Sequence, residues 1–294
     1  MSKKKKHLVI IVNPKSGVER QKEIQNAVFD HLDHEQYTYE IIHTKYAKHG
    51  IELAAEAAKQ GAYAVVAVGG DGSINDIIAG LSGTDTALAI IPKGSGNGMA
   101  RTMHIPLNTA EAIQIINKGN LINMDVAFAN GQAYISNAGV AFDALIAKKF
   151  ARSEKRGFRV YSWLVTKHMW TYKEWKWEIT IDGKRVDEKA FIVNVANGQQ
   201  FGYNFKIAPT ASYTDGLLDL VIVRSFPKIL GGALVLRLIK GTITRSLFVK
   251  HYKGKEITIS HPGLNLMQTD GDAHACDNKV TFTIKPGSQK VLVP

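Results

Sequence analysis

The chain has a single cysteine, Cys276, in 294 residues. That excludes a disulfide framework and fits a reducing compartment. No apolar run approaches the ~20 residues of a membrane-spanning helix, and the lysine-rich opening leads into no signal-type apolar segment. The G-x-x-x-x-G-K-[ST] phosphate loop is missing, as is a G-x-G-x-x-G turn after a first strand. No zinc-finger spacing or aromatic RNA-binding strand occurs. His43 and His49 lack companion metal ligands and read as surface histidines. Acidic side chains are scarce, 26 against 37 Lys and Arg, which leaves a net charge of +11. Such a charge implies an anionic partner. Without a nucleic-acid module, that partner is an acidic membrane surface or a nucleotide. The expectation is a cytoplasmic protein in peripheral contact with membrane, and no nucleic acid.

What is present centres on residues 63–101, which read YAVVAVGGDGSINDIIAGL and, after a spacer, ALAIIPKGSGNGMAR. Residues 64–68 and 87–91 are unbroken apolar runs bounded by glycine-rich turns, as in buried parallel strands. Each turn leads into helix-like sequence. Open α/β sheets place ligands at the carboxyl ends of their strands, so two such loops face one site. Glycine lets a phosphate approach the backbone, and the opening amides of a helix carry partial positive charge. The pattern predicts a nucleotide-phosphate site. Asp71, set among Gly69, Gly70 and Gly72, points to Mg²⁺ beside those phosphates. The plain alternative is that Asp71 or Ser73 caps a helix over 74–81.

The same strand–loop–helix pattern opens the chain. Residues 7–12 predict a strand, 13–17 a turn, and 19–32 a helix with Ile24, Val28 and Leu32 on one face. A second strand, 37–43, runs to Thr44, and a helix follows over 50–60. After a helix at 110–117 the character changes. Strands are predicted at 122–129, 133–137, 176–181, 190–197, 217–223, 256–260 and 280–284, with hairpin turns at Asn130-Gly131 and Asp182-Gly183. The shift from βαβ to mostly β marks two domains, 1–124 and 125–294.

These strings resemble the diacylglycerol kinase catalytic domain, whose superfamily includes sphingosine and ceramide kinases and bacterial lipid kinases. Gly69-Gly70-Asp71-Gly72-Ser73 with Ile74-Asn75-Asp76 is similar to its G-G-D-G-[TS]-x-N-[ED] signature. Asn13-Pro14-Lys15-Ser16-Gly17 resembles its N-P-x-S-G opening. Residues 92–101, with Gly94, Ser95, Gly96 and Asn97, resemble its P-x-G-[TS]-x-N-D-x-A-R loop, except that Gly98 replaces the aspartate. The resemblance implies an α/β N-terminal domain with a parallel sheet, of the phosphofructokinase or NAD kinase type. It also implies an all-β C-terminal sandwich whose end returns to the first domain. ATP would contact these loops, Asn75 and Thr44; Thr44 reads equally as a helix cap.

Further residues follow from the same likeness. Asp143, in a segment resembling G-x-G-x-D, would meet a lipid head group, though it also reads as a helix N-terminal aspartate. Residues 212–219 resemble an element that holds a structural Mg²⁺, with Asp215 and the main-chain oxygens of Ser212 and Leu217 as ligands. Thr214 stands where an aspartate is common, and unaided the string is a turn before a strand. Thr269-Asp270-Gly271-Asp272 resembles the D-G-[ED] motif that supplies the base, so Asp270 or Asp272 would take the alcohol's proton. A plain hairpin is the alternative.

The implied activity is an ATP- and Mg²⁺-dependent lipid kinase, with the lipid hydroxyl attacking the γ-phosphate in the cleft between the domains. Diacylglycerol, a sphingoid base and phosphatidylglycerol all remain open as substrates. Residues 158–177 and 227–250 mix aromatic and apolar side chains with basic ones. They suit an anionic lipid interface or, alternatively, core-packing helices with a solvated rim. A homodimer is compatible with the sequence. The rivals are an NAD kinase-like phosphotransferase, an inactive nucleotide or membrane sensor, and a basic nucleic-acid binder.

Overall fold

The computed structural model describes residues 5–14, 18–153, 157–202 and 204–294. Lys15, Ser16 and Gly17, expected at the nucleotide, lie outside them. The chain forms two compact units, Met1–Met124 with Gly287–Pro294, and Asp125–Pro286.

The first unit alternates β1 (Lys6–Val12), α1 (Val18–His31), β2 (Tyr37–His43), α2 (His49–Lys59), β3 (Ala64–Gly69), α3 (Asp71–Leu81) and β4 (Ala87–Pro92), then adds α4 (Gly98–Thr102) and α5 (Thr109–Lys118). The strands pair in parallel in the order β2-β1-β3-β4. Every residue of β3 and β4 is buried, so both faces of those strands are covered and the apolar runs do not alternate. Ile24, Val28 and Leu32 are buried as their spacing predicts. α5 has clear ends: Asn108 accepts from the Glu111 amide, and Gly119 stops it at φ 72. Beyond β4, Val291 from the chain's end pairs in parallel with Leu88. Gln289 Nε2 donates to Thr86 O at 3.1 Å.

The second unit runs β5 (Leu121–Ala129), β6 (Gln132–Tyr134), β7 (Asn137–Ala141), α6 (Phe142–Ala151), α7 (Phe158–Met169), β8 (Trp175–Ile181), β9 (Lys184–Arg185), β10 (Glu188–Ala196), β11 (Leu218–Arg224), α8 (Gly231–Lys240), β12 (Val249–Gly254), β13 (Glu256–Ser260), β14 (Leu266–Thr269), β15 (Asp272–Ala275) and β16 (Lys279–Leu292). Its pairings are antiparallel; one run is β12-β11-β10-β7-β14-β15, and another is β8-β13-β16. Trp177, Ile179, Val193, Leu220, Ile257 and Phe282 fill the sandwich core. β11 shows why its sequence is apolar throughout. Leu218, Leu220 and Ile222 enter that core, while Val221 and Val223 enter a second one with Phe142, Leu164 and Leu234 from the three helices.

Both predicted hairpin turns form, with φ of 47° and 80° at Asn130 and Gly131 and 46° and 82° at Asp182 and Gly183. Two positive φ values in succession define the type I′ turn that Asn-Gly and Asp-Gly favour. The strand expected at 133–137 is instead divided between β6 and β7. The amides of Ile135, Ser136 and Asn137 at the break are taken by the Asp270 carboxylate, not by a neighbouring strand.

Candidate active site

In the first unit the carboxyl ends of the parallel strands gather the predicted loops. Thr44 N donates to Val12 O at 3.0 Å, Asn13 N to Val68 O at 3.3 Å, and Lys93 N to Gly69 O at 2.8 Å. Asn13, Pro14, Thr44 and Ser73 line a single cleft, with Asn13 Nδ2 3.5 Å from Ser73 Oγ. The sequence reading missed Lys45 and Lys48, which line the same cleft beside Asp76 of the glycine-loop signature. The one available signal was two lysines in the loop just after Thr44. His43 is not simply a surface residue: its Nε2 is buried without a partner among the described residues. His49 Nδ1 accepts from Lys45 N at 3.0 Å and helps fix that loop.

The glycines of the two loops are needed because the backbones touch. A Cβ at Gly94 would lie 2.4 Å from Gly70 Cα, and one at Gly70 would lie 3.0 Å from Gly94 Cα. Asp71 fastens the contact. Its Oδ2 accepts from Gly98 N at 2.9 Å and its Oδ1 from Met99 N at 3.0 Å, so it caps α4 and not its own helix. The N-cap of α3 is Gly70, with no side-chain cap. The opening amides of α3 therefore lack the side-chain acceptor that capping would supply, as suits an anion. Asn97, expected at the nucleotide, has another occupation. Buried at φ 49°, it accepts from Gly94 N and donates to Gly94 O, both at 2.9 Å. It shapes the loop and leaves Ser95 exposed at the tip. Asn75 Oδ1 is buried without a partner among the described residues, an acceptor waiting for a donor.

The second unit presents the carboxylates. Asp270 and Gly271 form the two-residue turn between β14 and β15, at φ 49° and 89°. Asp270 accepts from Ile135 N at 2.7 Å, Ser136 N at 2.8 Å and Asn137 N at 3.1 Å, and its own amide donates to Asn137 O at 2.8 Å. Its oxygens are committed to the main chain. Asp272, one residue past the glycine, is exposed.

Asp143 opens α6 directly after β7 and is buried. Its Oδ1 accepts from Ala144 N at 3.0 Å, so the helix-start reading holds. Its Oδ2 accepts from Asn194 Nδ2 at 3.2 Å and Gln268 Nε2 at 3.3 Å. Gln268 Oε1 in turn accepts from Gly271 N at 2.8 Å, which ties Asp143 to the Asp270–Asp272 turn. Gly139 makes room for this, since a Cβ there would lie 2.2 Å from Asp143 Oδ2. Burial pushes the Asp143 carboxyl up to about 7, against the lowering effect of the Asn194 and Gln268 amides.

Comparison with known proteins reads the same two halves. Residues 7–129 match the Diacylglycerol kinase catalytic domain, and residues 136–293 match the YegS C-terminal NAD kinase beta sandwich-like domain. The chain belongs to the family that joins a Diacylglycerol kinase catalytic domain to a YegS C-terminal NAD kinase beta sandwich-like domain. A Chromohalobacter salexigens protein named "Probable lipid kinase YegS-like" is 34% identical over 184 residues, 60% of this chain and 59% of its own length. A Mycobacterium tuberculosis protein named "Diacylglycerol kinase" is 27% identical over 250 residues, 82% of this chain and 80% of its own. A solved Bacillus anthracis structure superposes with a TM-score of 0.79 at 24% identity, covering 100% of this chain and 99% of that one; at this identity the likeness shows the fold alone.

The structural Mg²⁺ implied by this family would need the Asp215 carboxylate, which the structure engages otherwise. Asp215 Oδ1 accepts from Leu217 N at 3.1 Å, and Oδ2 is paired with Lys253 Nζ at 2.7 Å. Lys253 Nζ also lies 3.5 Å from Asp219 Oδ2 and 3.5 Å from Thr210 O. An ammonium thus pairs with the Asp215 carboxylate, the one side chain among the three expected ligands. Burial works against the Lys253 charge, but the Asp215 hydrogen bond and the Asp219 and Asp215 charges outweigh it and raise its pKa. Among the described residues no cluster of three or more His, Cys, Asp or Glu suits a metal.

Proposed function

We propose that the protein is an ATP- and Mg²⁺-dependent lipid kinase that transfers the γ-phosphate to a hydroxyl of diacylglycerol or a sphingoid base. The observation that carries this reading is the backbone contact of Gly70 with Gly94 beside the uncapped start of α3. Phosphoryl transfer relies mostly on positioning and charge neutralisation, and these loops offer main-chain amides fixed by Asp71 and Asn97. Lys45 and Lys48 add positive charge to the adjoining cleft. Asp76 places a carboxylate in that cleft, where a Mg²⁺–nucleotide would meet it, and Asn75 Oδ1 offers an acceptor. When bound, Mg²⁺ supplies neutralisation of the phosphate charge.

The proton leaves the lipid hydroxyl for Asp272, because the oxygens of Asp270 are held by three amides. Asp143 orients the head group. A carboxyl titrating at about 7 is ionised opposite a sphingoid ammonium or protonated opposite a neutral hydroxyl. Relatives named as lipid and diacylglycerol kinases favour a lipid acceptor over NAD. Peripheral, cytoplasmic action fits the absence, among the described residues, of a helix long and apolar enough to cross a membrane. The test is radiolabelled ATP offered with NAD or with a total lipid extract, and the product identified by mass. A phosphorylated lipid supports the reading; labelled NADP, or no product with bound ATP, overturns it.

A further inference from the structure

The helices of the second unit divide the apolar residues between two faces, one packed in the core and one exposed. On α8, Gly231 and Leu234 are buried and Leu238 packs against the core. At about 100° per residue, Val235, Leu236 and Ile239 fall together on another arc, and Arg237 and Lys240 fall on the arc beside it. Leu236 is 58% exposed, and the flanking Ile229 and Leu247 are 85% and 86% exposed. Burial in the core accounts for none of these three.

α7 repeats the arrangement. Leu164 is buried, and Val160, Tyr161, Val165 and Met169 pack inward. Trp163 and Trp170, seven residues and two turns apart, are 58% and 62% exposed, with Lys167 Nζ 4.7 Å from the Trp163 ring centroid. The two helices meet end to end: a Cβ at Gly231 would lie 3.0 Å from Met169 Sδ, one residue before Trp170. Large apolar side chains held out in water need a partner that takes them in.

The charges say which partner. Residues 227–250 contain no Asp or Glu, and five Lys or Arg. Lys228 and Lys250 are paired with Glu174 and Glu188. Arg237, Lys240 and Arg245 border the apolar arc with no acid among them. Tryptophan at a rim, aliphatic tips beyond it and unopposed basic side chains match the interface of an anionic bilayer.

Resting on the lipid-kinase reading, we infer that Trp163, Trp170, Ile229, Leu236 and Leu247, with Arg237, Lys240 and Arg245, form the face that docks on an anionic membrane. Tyr161, on the inner side of α7, packs edge-on against Phe150 of α6 with ring centroids 5.7 Å apart. The docking helix thus packs on the helix that carries Asp143.

The experiment is sedimentation of the full chain, without ATP, with vesicles of phosphatidylcholine alone or with added phosphatidylglycerol. The wild type should sediment with the anionic vesicles, less at high salt. Ile229→Glu with Leu247→Glu, both at exposed positions, should lower that binding by about tenfold or more, and so should Trp163→Ala with Trp170→Ala. Turnover on a short-chain, water-soluble lipid alcohol should be unchanged in the Glu pair. Failure of the wild type to bind anionic vesicles, or equal binding by both variants, overturns the inference. A solution dimer dissolved by the same substitutions, with vesicle binding intact, assigns the face to a second copy and also overturns it. Vesicle binding without phosphorylation of any lipid supports the docking face while sinking the kinase reading.

Discussion

Two turns in different units use an aspartate in the same way and leave opposite things over. Asp71 fastens the first glycine loop to the second by accepting two α4 amides. Asp270 fastens the β14–β15 turn to the β6–β7 break by accepting three. Around Asp71 what remains for a ligand is main chain, the uncapped amides of α3. Around Asp270 what remains is side chain, the exposed Asp272 and the buried Asp143. The aspartate most prominent in a motif is here the strap, and its neighbours carry the chemistry.

The sharpest way to break this comparison is to exchange the two acids of the hairpin. Asp272→Asn should cut kcat by about 10²–10⁴, with ATP affinity and thermal stability unchanged. Asp270→Asn should show itself as instability, because it leaves backbone donors short of their acceptor; each buried unsatisfied group costs about 1–3 kcal/mol. Melting temperature and ATP binding measured on both variants decide the matter. Should Asp270→Asn keep its melting temperature and lose turnover, Asp270 is the base and the assignment is reversed.

Next in size is Gly94→Ala. A methyl 2.4 Å from Gly70 Cα meets backbone, which cannot swing aside, and it also comes within 2.8 Å of Asn97 Oδ1, the acceptor of the Gly94 amide. Overpacking of this kind costs about 1–3 kcal/mol and separates the loops. ATP binding, followed by calorimetry, should weaken while vesicle binding by the second unit stays intact. An unaltered ATP affinity would mean the loop contact is incidental to the nucleotide.

Asp143 offers a comparison by pH. Its carboxyl moves from 3.8 to about 7 on folding, so between those values the folded form keeps a proton that the unfolded form has lost. Stability from this group is therefore full below about pH 4 and lost as pH rises to about 7, by at most about 4 kcal/mol. Asp143→Asn removes the slope. The difference in melting temperature, variant minus wild type, should grow with pH across that window; a constant difference would place Asp143 in a wetter setting than its burial shows.

How much of this was legible beforehand follows from what a local pattern can hold. β3 and β4 were readable because both faces of each strand are buried, and the glycine loops because they follow those strands directly. The Asp143 network was not, since Asn194 and Gln268 lie 51 and 125 residues away in sequence and neither amide carries a local signal. β14 and β15 are four residues each, too short for alternation to register. On α8 an inward and an outward apolar arc overlap in one string, and periodicity cannot say which of them meets water. The Asp215 element was legible only as a likeness. Its partner Lys253 sits in β12, whose polar sequence gave no strand signal.

That last pair sets the smallest expected effect. Lys253 and Asp215 are both about one-third exposed, and exposed pairs contribute about 0–1 kcal/mol; the added cost here comes from Asp219, fully buried and 3.5 Å from the same ammonium. The ammonium already neutralises the Asp215 carboxylate that a divalent ion would need. Chelation by EDTA should leave the melting temperature of the nucleotide-free protein where it was. Lys253→Met keeps the aliphatic stem and removes the charge, leaving Asp215 without its counter-ion and Asp219 with His251 alone. That variant should melt slightly lower, and added Mg²⁺ should restore it. If EDTA instead destabilises the wild type, a cation resides there, and the lysine is its neighbour and not its replacement.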